Sequence, residues 1–91
     1  AVLGESLPSL GSNYPNPFNP LTTIEFSVPM ATDYILRILN ITGQEVAKMS
    51  GLALGGINKI LWDVSGVASG VYLYRLEVGS FSQSRKMIIL K

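Results

Sequence analysis

The chain has 91 residues, with seven Lys or Arg against six Asp or Glu and neither Cys nor His. That length suits one domain with a single two-layer core, and a net charge of +1 gives no electrostatic footprint for nucleic acid or an anionic membrane. The missing Cys and His exclude a disulfide framework, thiolate chemistry, an imidazole base and the commonest zinc ligands, and no apolar run approaches the roughly 20 residues of a membrane-spanning helix.

Residues 12–29, SNYPNPFNPLTTIEFSVP, hold four prolines and three asparagines. Proline has no N–H for a ladder, so Pro15, Pro17 and Pro20 keep residues 14–20 out of any central strand. Each also biases its predecessor toward extended geometry. The expectation is a stiff strap near polyproline II, with Asn16 and Asn19 satisfying freed backbone groups through Asx-type bonds. Tyr14 and Phe18 are its expected anchors, tucked over one open end of the fold, so that the folded domain begins near Asn13. A rigid linker is the plainer reading of such a strap, but a spacer has no use for two large aromatics.

Residues 22–28 then alternate strictly, with Ile24, Phe26 and Val28 on one face. Residues 33–40, DYILRILN, form a second strand, with Tyr34, Leu36 and Ile38 toward the core and Ile35 and Leu39 on the face of Arg37. NITG at 40–43 is a turn, and its match to the N-glycosylation pattern is read as that turn. A short strand over 44–49, a Gly-rich connection over 51–56 and a strand over 57–62 follow, the last with Ile60 and Trp62 on one face. DVSGVASG at 63–70 is a loop. Residues 71–78 are the strongest strand, with Tyr72, Tyr74, Leu76 and Val78 on one face and Val71, Leu73, Arg75 and Glu77 on the other. Gly79-Ser80 is a two-residue hairpin signal, and residues 81–90 are the returning strand. Six or seven short strands without helical periodicity predict an all-β fold, an antiparallel Ig-like or fibronectin III-like β-sandwich of about seven strands.

The chemistry-bearing residues do not assemble into a catalytic set. Glu25, Asp33, Glu45, Asp63 and Glu77 offer no placeable acid/base pair, and Ser65 and Ser69 have no histidine to activate them. Asp63 after Trp62 is a single carboxylate among hydroxyls, which suits a loop-closing Asx bond better than a metal ion. Trp62, Tyr72 and Tyr74 could line a sugar platform, but their alternating strand positions point to the core. Arg85 and Lys86 with Lys91 make a small basic cluster, read from composition as a solvated edge. No enzyme activity, cofactor or metal is expected.

Four blocks carry a resemblance: NYPNPFNPLTTIEFSVP, YILRILNITGQEVAKM, ILWDVSGVASGVYLYRLE and RKMIILK, in that order from about Leu10 to Lys91. Together they resemble the C-terminal sorting domain of the type IX (Por) secretion system of Bacteroidetes-group bacteria. The matching positions are Tyr14, Pro15, Asn16, Pro17, Phe18, Asn19, Pro20, Trp62, Asp63, Gly70, Tyr72 and Tyr74. The opening and the Gly-Val-Tyr strand are also similar to the Ig-like domain of flagellar hook-capping proteins. In those the Trp-Asp segment usually leads into a longer loop, so the short 63–70 segment and the ending on KMIILK favour the sorting domain.

The resemblance implies a non-catalytic signal at the end of an exported enzyme, adhesin or other surface cargo. An N-terminal signal elsewhere in the precursor would take it to the periplasm. The implied partners are the type IX machinery, including an outer-membrane translocon and a surface sortase, and a covalently continuous upstream cargo, with neither nucleic acid nor membrane insertion. The implied localisation is secreted or cell-surface, by way of the periplasm and outer membrane of a Gram-negative bacterium. Residues 1–12 would be the cargo junction, where Leu10 and its apolar neighbours leave room for a first strand on a sheet edge, and residues 13–91 the sorting domain. The implied recognition element is Lys86, Met87, Ile88, Ile89, Leu90 and Lys91, with either Met87 and Ile89 or Ile88 and Leu90 facing in and the other pair left to a receptor. The competing reading is an Ig-like structural or carbohydrate-binding accessory module of a secreted enzyme.

Overall fold

Thr22, Ile24, Phe26 and Val28 are buried and the residues between them are not, the pattern of a strand with one face on a core. The same rule builds the other strands of the computed structural model, which describes residues 7–15 and 20–90. They are β1 (Ser9–Pro15), β2 (Leu21–Val28), β3 (Thr32–Asn40), β4 (Glu45–Ala53), β5 (Gly56–Asp63), β6 (Gly70–Val78) and β7 (Phe81–Ile89). The described residues contain no helix.

All pairings are antiparallel. They give a three-stranded sheet in the order β1-β2-β5 and a four-stranded sheet in the order β4-β3-β6-β7. The fourth strand lies beside the third instead of joining β5, unlike the Ig constant arrangement. This is the fibronectin III-like form of the expected sandwich. Ile24, Phe26 and Val28 of one sheet and Leu36, Ile38, Tyr74 and Leu76 of the other share a single buried core. Phe26 also meets Tyr34 across the sheets, ring centroids 5.1 Å apart.

Turn chemistry fixes the register. Gly79 takes φ +57° in the two-residue β6–β7 turn, where a Cβ would be strained. Val78 then pairs with Phe81, and counting along the ladder sets Tyr72 opposite Met87. At the β3–β4 turn, Asn40 Oδ1 accepts from the Thr42 N–H, the Thr42 hydroxyl and the Gln44 N–H at 2.7–3.0 Å. This Asx arrangement confirms the expected turn.

Three expectations need correction. The Gly-rich stretch over 51–56 is mostly strand: β4 runs to Ala53, and only residues 54 and 55 separate it from β5. Gly51 does not break the strand because the ring of Tyr34, its cross-strand neighbour, lies where a Cβ would reach it at 3.6 Å. Ala53, 1% exposed, then ties the strand end into the core. Second, the described strands begin at Ser9, four residues ahead of Asn13, because Leu10 is a core residue, 3% exposed. Third, Trp62, expected largely buried in the core, is only half-buried at its margin, packing edge-on against Tyr72 at 6.3 Å and 75°. It sits near the end of β5, an edge strand, where the second sheet no longer covers it fully.

β1 is held by the opposite sheet. It pairs with β2, with a register shift between Leu10 and Asn13. At that bulge Gly11 lies so close to β2 that a Cβ would meet the Glu25 carbonyl at 3.1 Å. The Tyr74 hydroxyl crosses the core and donates to the Gly11 carbonyl at 2.8 Å. From β7, Gln83 Oε1 accepts from the Leu10 N–H at 3.1 Å. The Arg85 guanidinium donates to the Leu10 carbonyl at 3.2 Å and to Ser12 Oγ at 3.1 Å. Burial raises the Tyr74 pKa above its ordinary value, outweighing the Asn13 amide and Arg85, which lower it.

Three stability tests follow from this arrangement. Leu76→Ala should cost about 2–5 kcal/mol, whereas Leu73→Ala, on the outer face of the same strand, should stay within about 1 kcal/mol; chemical denaturation of both measures the difference. Comparable losses would mean that the faces of β6 are misassigned. For the cross-sheet bonds, Tyr74→Phe should cost about 1 kcal/mol at neutral pH. The unfolded phenol ionises near pH 10 while the folded one resists, so wild-type stability falls as pH rises past that point. The gap to Tyr74→Phe should therefore narrow in alkali. Removing residues 1–8 should leave the Tm nearly unchanged, while removing residues 1–12 should lower it by several degrees through loss of Leu10 and the Gly11 carbonyl.

Candidate functional site

β7 pairs with β6 from Phe81 to Ile89 without a register shift and is the last strand of its sheet. Met87 and Ile89 face the core, 2% and 6% exposed. Ile88 and Leu90 face out, 58% and 85% exposed, with Lys86 on the same side. Four consecutive apolar residues have no period of their own, so residues 87–90 alone leave the inward pair undecided. The signal was in the hairpin: a two-residue turn at 79–80 puts Met87 opposite buried Tyr72. Lys91 lies outside the described residues.

The outer surface around β7 divides by chemistry. Cross-strand neighbours run Leu39 to Leu73 and Leu73 to Lys86, with Val71 opposite Ile88. They form an apolar patch beside one lysine. Farther along the same sheet the face is charged. Arg37 stands between two cations in register, Arg75 and Lys48. It is neutralised by Glu45 at 2.8 Å and Glu77 at 3.0 Å. The hydrogen bond to Glu45 and then that to Glu77 raise the Arg37 pKa, so Arg37 stays charged at any physiological pH. The edge of β7 divides too. Its first half carries Gln83 and Arg85, which hold β1; no described strand pairs with the edge over 86–89.

The proline-rich motif is placed only in part. Residues 16–19, and with them Asn16, Pro17, Phe18 and Asn19, lie outside the described residues. Pro15 closes β1, an edge strand, where a missing N–H is tolerated. Tyr14 is not tucked over an end of the sandwich. Its register opposite Thr23 puts it on the outer face, 43% exposed, with its hydroxyl donating to Glu25. That hydrogen bond is the main reason its pKa is raised, ahead of desolvation and the Glu25 charge. The Pro20 carbonyl accepts from the Val64 N–H at 2.7 Å, tying the 63–70 loop to the start of β2.

The other motif residues support that loop. Asp63 Oδ1 accepts from the Ser65 N–H at 2.8 Å, the Asx bond expected of it. The Tyr72 hydroxyl donates to the Ala68 carbonyl at 2.7 Å, and Gly70 opens β6 opposite Ile89. Tyr72 and Tyr74 are 7% and 0% exposed, so with Trp62 they do not make an open sugar platform. Among the described residues no Asp and Glu side chains group in threes to hold a metal, and no helix is long and apolar enough to cross a membrane. Two shallow hollows of about 200 and 150 Å³, lined by residues such as Gly11 with Ser27 and Asp33 with Glu77, lie away from residues 86–90.

The residues missed from the sequence are Gly11 and Gln83, and Arg85, read as part of a solvated edge, instead bonds the Leu10 carbonyl and Ser12 Oγ of β1. Leu10 was visible as an apolar residue, but nothing in a Gly- and Ser-bearing segment announces a bulge beneath a tyrosine from the other sheet.

A family described as the secretion system C-terminal sorting domain matches residues 12–90. No protein of curated function and no solved structure matches the chain. The family match takes in β2 to β7 whole and most of β1. The chain therefore belongs to the secretion system C-terminal sorting domain family, the sorting signals of type IX secretion.

Proposed function

We propose that this domain is the address label of an exported protein. Cargo joined ahead of β1 is delivered to an outer-membrane translocon, cut from the domain by a surface sortase, and released or attached at the cell surface. The observation that carries the reading is the family match over residues 12–90. Membership implies interaction with the type IX machinery and export to the surface or beyond; such signal families are typically non-catalytic.

Within that reading β7 is the strand the machinery reads. Its inner residues Met87 and Ile89 belong to the core, while Lys86, Ile88 and Leu90 lie outside it. Unpaired edge N–H and C=O groups can accept a further strand, which gives a receptor backbone bonds for affinity and alternate side chains for specificity. Recognition would thus require the folded domain, since folding is what separates the two sets of residues.

A reporter carrying a signal peptide and residues 1–91 should reach the medium or cell surface of a type IX-competent bacterium. Removing residues 86–91 should leave it in the periplasm, but this also strips Met87 and Ile89 from the core. The Ile88→Asp/Leu90→Asp double variant separates the effects: it should keep the parent Tm and still lose export. Unimpaired export of that variant would remove recognition from the outer face of β7. Failure of the unmodified reporter in several competent hosts would overturn the sorting function itself.

A further inference from the structure

The sandwich has four edge strands, and three are interrupted or covered. β1 carries the register shift between Leu10 and Asn13 and ends on Pro15. β4 carries a bulge, with Ala47 and Glu45 opposite consecutive residues Ile38 and Leu39. β7 has its first half bonded to β1 through Gln83 and Arg85. β5 differs: it pairs with β2 through eight consecutive residues without a shift and contains no proline, and no described strand pairs with its other side. Long, regular, unprotected edges are the ones on which another strand adds.

The outer face of β5 presents Ile57, Lys59, Leu61 and Asp63 in alternation. Ile57 is 72% exposed, Leu61 63%, and the Lys59 side chain 62%. Read against an antiparallel copy of itself, the Lys-Leu-Asp triplet is self-complementary. If Leu61 faces Leu61 of a second copy, Lys59 faces Asp63 and Asp63 faces Lys59, so two opposite-charge pairs flank an apolar pair. On the inner side the same register sets Ile60 opposite Trp62, both packed against the core of their own copy. Other alignments lose this match. With the axis at Lys59 two ammonium groups face each other; with it at Ile60, Lys59 faces Leu61; with it at Trp62, Leu61 faces Asp63. Like charges directly opposite destabilise a strand pair, and opposite charges stabilise it.

We propose that β5 is a dimerisation edge at which two copies of this chain pair antiparallel about a two-fold axis through Leu61, joining their three-stranded sheets into one of six strands. The occupant is a second copy because the charge order of the strand is matched by its own reverse. The contact is isologous, so it closes at two subunits and does not propagate. It leaves β7 on the opposite side of the sandwich from the dimer contact, in the other sheet.

Sedimentation equilibrium of the 91-residue chain, from about 1 μM to 1 mM, tests the pairing. The mass should rise with concentration from 9.8 kDa to twice that value. Lys59→Asp should weaken dimerisation at least about tenfold by setting carboxylates opposite each other. Leu61→Lys should do the same by placing two ammonium groups at the axis. Leu61 is exposed, so the far-UV circular dichroism and Tm of Leu61→Lys should stay close to the parent; Lys59→Asp also loses the 3.8 Å ion pair with Glu25, its neighbour on β2, so its dimerisation is read at a temperature where circular dichroism shows it folded. Lys59→Arg, which keeps a cation opposite Asp63 and leaves the Asp63–Ser65 bond intact, should dimerise like the parent. A monomer throughout the concentration range would overturn the proposal, as would Lys59→Asp and Leu61→Lys variants that dimerise like the parent. A Lys59→Arg variant no tighter than Lys59→Asp would overturn the Leu61-centred register.

Discussion

The Tyr74 side chain joins the two sheets by a polar contact through an otherwise apolar interior. Its ring is fully buried among Ile24, Leu36, Ile38 and their neighbours, and its hydroxyl ends on the Gly11 carbonyl of the far sheet. A buried hydroxyl without a partner would be costly, so Tyr74 demands β1 at that place. β1 in turn bulges at Gly11 and Ser12, leaving Leu10 in the core. Gln83 and Arg85 then grip the same short segment from the end of the four-stranded sheet. Closure of the sandwich on this side therefore depends on side chain-to-backbone bonds and not on a ladder between β1 and β7.

That mode of closure bears on function. A ladder along β7 would occupy the backbone edge of the strand through to its end. Two side chains from its first half hold β1 instead, and the edge beyond Arg85 has no described strand on it. The strand thus combines two kinds of residue within a few positions: Met87 and Ile89 complete the core, while Lys86, Ile88 and Leu90 lie beside the apolar patch of Leu39, Val71 and Leu73. On the rest of the face Arg37, bonded to Glu45 and Glu77, keeps a stretch of like charge locally balanced. On the proposed reading, stability and recognition would draw on alternate residues of one strand.

Much of this fold was legible because strand periodicity is two. Ile24, Phe26 and Val28, and Tyr72, Tyr74 and Leu76, declare their faces by alternation, and Gly79-Ser80 declares the hairpin. The failures have local causes. Gly51 looks like a breaker, but the Tyr34 ring covers it and the ladder continues to Ala53. Alternation assigned the face of Trp62 but not its depth, which depends on its place on an edge strand. Tyr14 looked like an anchor by size, yet its register with Thr23 turns it outward onto Glu25. For the candidate site, the residues of the last strand were visible, whereas their division into inner and outer sets required the hairpin register. The β1 bulge was not legible at all, since its partners Tyr74, Gln83 and Arg85 lie more than sixty residues away.

The central claim is that the end of β7 is folded on one side and open on the other. Native-state hydrogen exchange at the amides of residues 86–89 tests it most directly. An edge strand bonded only to β6 should alternate, with slow exchange at amides aimed at β6 and fast exchange at those aimed away. Uniform protection of all four would mean that the edge is covered, and uniform fast exchange that the strand is not docked; either result would contradict the account.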